Sequence, residues 1–103
     1  MSFFSSIFGA GAPSTIDGPT ARKLVAEGAL LVDVRTPGEY ADGHVDGAQN
    51  VPVETLPGGA AGLAKDKVVV VYCRSGGRSA RAAGILRGEG FATVHDLGPI
   101  SAW

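Results

Sequence analysis

The densest apolar run in the chain is Val68, Val69, Val70 and Val71, continued by Tyr72 and bounded by Lys67 and a glycine-rich turn. Branching at Cβ restricts χ1 and favours extended backbone, and a short unbroken apolar run marks a strand buried on both faces. The pattern predicts a strand over 67–72, with Cys73, the only cysteine, where it stops. Gly76 and Gly77 then loosen the backbone. From Ser79 through Ala82, Ala83, Ile85 and Leu86 the rhythm becomes helical, to about Arg87, with Gly88 and Gly90 marking the end.

Upstream, Asp17-Gly18-Pro19 reads as a helix start, with Asp or Gly as cap and Pro in the first turn. Ala21, Leu24 and Val25 form its apolar stripe and Gly28 its stop. Leu30 to Val34 is a second buried strand. Pro37 opens a short helix carrying Glu39 and Tyr40 and ending near Gly43. Ala48 to Val51 is a brief strand closed by Pro52. Between Glu54 and Lys65 the triplet Pro57-Gly58-Gly59 excludes a long helix, and a turn with one or two helical turns near 60–64 is expected. Ala92 to Asp96 is the last strand. Strands alternating with short helices predict an α/β fold, a parallel sheet of about five short strands covered by helices on both faces.

Length and composition narrow the picture. At 103 residues with 45% hydrophobic content, one domain with a single core is expected, and disorder is not. No apolar run approaches the roughly 20 residues of a membrane span. The net charge of −1 gives no footprint for nucleic acid or an anionic membrane. A lone cysteine forms no internal disulfide, which points to a reducing, cytoplasmic setting. Residues 1–14 read as an N-terminal tail and 15–103 as the domain. The start of the tail lacks both the basic residues and the apolar run of a signal peptide. Phe4, Ile7 and Phe8 either line one face of a docking helix or belong to a frayed end.

The candidate chemistry lies in the loop after the valines. Gly76 and Gly77 permit positive φ, so successive N–H groups can point into one anion-binding concavity. The following helix adds its positive N-terminal end, and Arg74, Arg78 and Arg81 add full charges. Such surroundings favour a thiolate and lower a cysteine pKa from about 8.5. An inert core thiol needs no electropositive cage, so Cys73 is the expected nucleophile. Asp33 and Arg35, two apart at a strand end, point the same way. They either support the site or, with Arg35 paired to Glu39 across a tight turn, simply fix a loop. His44 could form a Cys–His couple, but a thiolate ionised by its own loop needs no base. His95, on the last strand, is assigned no role. No His/Cys/Asp/Glu cluster has metal-ligand spacing, and neither Walker A nor a G-x-G-x-x-G pattern is present, so no metal or other cofactor is expected.

Three stretches together resemble the rhodanese-like sulfurtransferases: VVVVYCRSGGRSARAA from Val68, LVDVRTPGEYADGHVDGAQNVP from Leu31, and the closing DLGPISAW from Asp96. They occur in that family's order and spacing and cover nearly everything from Thr15 onward. The resemblance implies a single-domain rhodanese-like fold, a Cys73 persulfide, and substrate binding by Arg74, Ser75, Gly76, Gly77, Arg78 and Ser79. It places Asp33, Arg35 and the Glu39-Tyr40 pair in the wall near the site, and makes His44 a structural residue bonding neighbouring backbone. Pro99 departs from the pattern by standing where that family usually carries Gly, so the final turn is expected to shift.

Cysteine-dependent phosphatases close a C-x5-R loop, and one branch of them shares the rhodanese fold. Cys73 and Arg78 span C-x4-R, a tighter ring that suits one terminal sulfur better than a phosphoryl group. The expected activity is therefore sulfane-sulfur transfer from a small anionic donor, thiosulfate or a persulfide, to cyanide in an assay or to a thiol or protein partner in a cell. A sulfur carrier or protein-binding module is the alternative, with phosphatase or arsenate reductase chemistry further off. A monomer is expected.

Overall fold

The computed structural model describes residues 14–103; the expectations for Phe4, Ile7 and Phe8 fall outside them. The valine run forms the strand β4, Val68–Cys73, at the middle of a five-stranded sheet. The other strands are β1 (Ser14–Thr15), β2 (Leu30–Asp33), β3 (Gln49–Asn50) and β5 (Thr93–Pro99). Their order is β1-β5-β4-β2-β3 and all neighbouring pairs are parallel. Three helices connect them: α1 (Gly18–Ala26), α2 (Pro37–Asp42) and α3 (Gly77–Gly88).

The unbroken apolar run of β4 follows from its position. Val69, Val71 and Cys73 point to one face, where they pack with Ala82, Ala83 and Leu86 of α3 and with Phe91. Val70 and Tyr72 point to the other, against Ala21 of α1, Leu31, Ala48 and Leu97. With both faces covered there is no solvent side to demand polar alternation. Each fully buried valine contributes roughly 1.5–3 kcal/mol relative to exposure.

Helix α1 begins as its sequence indicates: the Asp17 carboxylate accepts the Thr20 N–H at 2.9 Å. Gly28, at φ +109°, turns the chain after its end. Gly18 is needed for closeness rather than for an unusual φ, since a Cβ there would collide with the Ala102 carbonyl oxygen.

Four features differ from expectation by more than one residue. Helix α3 starts at Gly77, two residues before Ser79, because Gly76 at φ +111° provides the N-cap turn. The helical turn expected near 60–64 is absent. A 3-10 turn instead occupies Val53–Thr55, and Pro57, Gly58 and Gly59 commit the chain to successive tight turns. Strand β5 runs on to Pro99, past Asp96. A register shift lets it: Asp96 faces Val71, whereas Gly98, at φ +88°, faces Tyr72. Strand β1, a two-residue pairing with β5, has no apolar signature of its own. Among the described residues no helix is long and apolar enough to cross a membrane.

Candidate active site

Parallel strands deliver their carboxyl ends to one edge of the sheet, where loops and helix N-termini gather. Cys73 ends β4 there, fully buried. The chain turns through Arg74 and Ser75, and left-handed Gly76 reverses it into α3. That reversal aims the Gly76 N–H at the sulfur, 3.0 Å from Cys73 Sγ. Ser79, also fully buried, stands one turn into the helix and its hydroxyl donates to the Gly76 carbonyl at 3.1 Å.

Burial pushes the Cys73 thiol up, but hydrogen bonds from the Ser79 hydroxyl and from the N–H groups of Ser79, Gly76 and Ser75 pull it down by more. The net pKa lies below that of an ordinary cysteine. The Ser79 proton serves either the Gly76 carbonyl or the sulfur, and an ionised sulfur is the stronger acceptor. Neutral donors are the largest contributors to this lowering, and Arg78 interacts with the charge on the sulfur as well. Arg74 and Arg81 are exposed, as are Ser75 and Gly77.

The expected pairing of Arg35 with Glu39 is not formed. Arg35 instead folds back on Asp33: its Nε lies 3.0 Å from both carboxylate oxygens and its Nη2 2.7 Å from Oδ2. Nη2 also donates to the Gly43 carbonyl at 2.7 Å. Both residues are buried, and Asp33 satisfies the Arg35 backbone N–H as well, at 2.9 Å. Same-side projection from a strand end makes this two-residue pairing shorter than the reach across the turn. Arg35 therefore ties the end of β2 to the residue that follows α2.

Glu39 is left for a partner 39 residues away. Its Oε1 receives Arg78 Nη1 at 2.7 Å and its Oε2 receives Nη2 at 3.0 Å. The same carboxylate completes a capping box on α2, accepting the Thr36 N–H at 3.0 Å while Thr36 Oγ1 accepts the Glu39 N–H at 3.2 Å. The Arg78 hydrogen bonds, then that from the Thr36 backbone, hold the Glu39 carboxyl down to about 2. Thr36-x-x-Glu39 was readable as a capping box; a fork between α2 and α3 was not, since no local pattern encodes it.

His44 is structural, as the resemblance implied: its Nδ1 lies 2.8 Å from the Tyr40 carbonyl and its ring stacks on Tyr40 at 3.7 Å. It takes no part in the sulfur's surroundings. His95 is half-buried on β5, its pKa lowered by burial and by the nearby Arg87 charge. Two supporting residues gave no motif. Asn50 Nδ2 donates to the carbonyls of Asp33 and Arg35, both at 3.0 Å, pinning the end of β2. Tyr72, whose phenol burial pushes up to about 12, accepts the Val45 N–H at 3.1 Å. Pro99 ends β5 opposite Cys73, its Cδ 3.9 Å from where a Cβ on Gly76 would lie, so the departure from Gly sits directly beside the loop.

A family model described as the rhodanese-like domain matches residues 19–103. A sulfurtransferase of Allochromatium vinosum is 44% identical over 78 residues, spanning 75% of this chain and 73% of the relative. The chloroplastic thiosulfate sulfurtransferase 16 of Arabidopsis thaliana is 37% identical over 106 residues, with 88% and 87% covered. Among solved structures, the human single-domain sulfurtransferase TSTD1 superposes with a TM-score of 0.71 at 28% identity, covering 90% of this chain and 93% of that one.

Proposed function

The chain belongs to the rhodanese-like domain family, and on that premise we propose that it transfers sulfane sulfur through a Cys73 persulfide in two covalent half-reactions. The Cys73 thiolate attacks the outer sulfur of the donor. With thiosulfate, the S–S bond breaks, its electron pair leaves with sulfite, and a Cys73 persulfide anion remains. With an alkyl persulfide, the inner thiolate leaves. A second nucleophile then attacks the outer sulfur of the enzyme persulfide and restores the Cys73 thiolate. That acceptor is cyanide in an assay, and a thiol or protein partner in a reducing, cytoplasmic setting.

The observation that carries this reading is the sulfur's environment: Sγ sits 3.0 Å from the Gly76 N–H at the start of α3, with Ser79 beside it. Donors fixed in place before the reaction stabilise charge on sulfur without reorganising. The relatives named as sulfurtransferases support the same class. Four residues separate Cys73 from Arg78, a ring suited to one sulfur atom rather than a phosphoryl group.

Intact mass decides the matter. Incubation with thiosulfate or an alkyl persulfide should add one sulfur atom to the wild type, removable by cyanide or dithiothreitol. Cys73→Ser should gain none. A wild type that stays unmodified by both donors would leave the domain as a binding module without persulfide chemistry.

A further inference from the structure

The loop's last arginine is not available as a full charge. Arg78 is held by Glu39 through two parallel hydrogen bonds of 2.7 and 3.0 Å, both side chains being about one-third exposed at 34% and 27%. A second acid, Glu54, lies close enough to act electrostatically on the same guanidinium, which also feels the Cys73 sulfur. Glu39 thus holds Arg78 directly, Glu54 adds a weaker electrostatic pull of the same sign, and Arg74, exposed in the loop, carries a further positive charge. The sulfur beneath is served by neutral hydrogen-bond donors. Those donors suit the single negative charge of a thiolate or persulfide. They offer no full charge to a dianion brought alongside it.

We propose that Glu39 is a specificity-determining residue which, by neutralising Arg78, weights the site against dianionic donors such as thiosulfate and toward alkyl persulfides of lower charge. The inference rests on the sulfur-transfer reading above. Glu39 acts through Arg78 and is a positioning residue, touching neither donor nor sulfur. In the favoured step the Cys73 thiolate bonds to the outer sulfur of R–S–SH, the S–S bond breaks, and R–S⁻ departs. The outer sulfur keeps its proton until it ionises among the loop donors. Product and reactant side each carry one negative charge, where the thiosulfate step must gather three.

The test compares thiosulfate with 2-hydroxyethyl persulfide, whose alkyl group carries no charge, for the wild type, Glu39→Gln and Glu54→Gln. Glutamine keeps the capping box, because its carbonyl oxygen can still accept the Thr36 N–H, while the ion pair is lost and the Arg78 charge is unmasked. In Glu39→Gln the ratio of kcat/KM for thiosulfate to that for the persulfide should rise roughly tenfold, mainly through a lower thiosulfate KM. The gain should shrink as salt is added, since unmasked surface charge is screened. Glu54→Gln should move the ratio the same way by a smaller factor. If Glu39→Gln misfolds by its melting curve, Glu54→Gln alone decides. An unchanged ratio, or a fall in kcat with both donors, overturns the proposal and makes Glu39 a scaffold residue. Sulfur uptake by the wild type is read separately from intact mass, so loss of the sulfur-transfer reading would show there and not in the ratio.

Discussion

Two opposing influences meet at Cys73 Sγ. Burial disfavours the thiolate, while the Ser79 hydroxyl and the backbone N–H groups of Ser79, Gly76 and Ser75 favour it and prevail. The alkylation rate should therefore reach half-maximum below the ~8.5 of a free thiol, and Ser79→Ala should move the midpoint upward. A wild-type midpoint at or above that of a free thiol would mean the loop donors do not meet the sulfur. The linkage to folding has a definite sign. A lowered folded-state pKa means the ionised thiol stabilises the fold fully above its unfolded pKa, and this contribution is lost as pH falls through the folded one. Arg35 acts differently. Its loss strands the Asp33 carboxylate, fully buried, without its cation. Arg35→Ala should cost about 3–5 kcal/mol of stability, measured by denaturant unfolding, and protein that does fold should still take up sulfur from a donor.

At the scale of elements, the loop between β4 and α3 works because its length aims N–H groups inward. One glycine inserted between Gly76 and Gly77 should cut sulfur transfer at least tenfold, which corresponds to only about 1.4 kcal/mol of transition-state binding. The wild type should leave an aryl phosphate essentially untouched. Equal turnover of both substrates, or an insertion that leaves transfer intact, would remove ring size as the determinant. Helix α3 itself is built below its stability optimum. Gly84 lies mid-helix, exposed, with open space where a Cβ would stand. Gly84→Ala should add roughly 0.5–1 kcal/mol by restricting the unfolded chain and favouring helix, seen as a raised Tm. The same change at Gly76, at φ +111°, would be strained.

For the whole molecule, the sheet divides the apolar interior into two layers, and α3 closes the one that also contains Cys73. Leu86 is its largest wholly enclosed helical side chain, 1% exposed. Leu86→Ala should cost about 2–5 kcal/mol, a large share of the roughly 5–15 kcal/mol typical of a domain. Chemical denaturation measures this directly, and a cost below 1 kcal/mol would show that the layer collapses to fill the gap. Because α3 also carries Ser79 and is capped by Gly76, loosening it should reduce sulfur uptake along with stability.

Local sequence was enough wherever the physics is local. The valines of β4, Asp17 and Pro19 at the start of α1, Pro37 opening α2, and the glycines ending helices each act through their own backbone. They determined an α/β chain with a cysteine at a strand end, since backbone preferences and apolar runs are properties of a few neighbouring residues. Strand order, the register shift beside Val71 and the two-residue β1 were beyond that reach. They depend on which strands lie side by side, and β1 in particular has no side-chain pattern, only hydrogen bonds offered by β5. The charges divide the same way. Candidate acids and bases could be named from the sequence, but Arg35 chose Asp33 and Arg78 chose Glu39 only once the fold fixed the distances. An ion pair is a contact between side-chain tips, and the separation of tips on α2 and α3 is set by how both helices pack on the sheet.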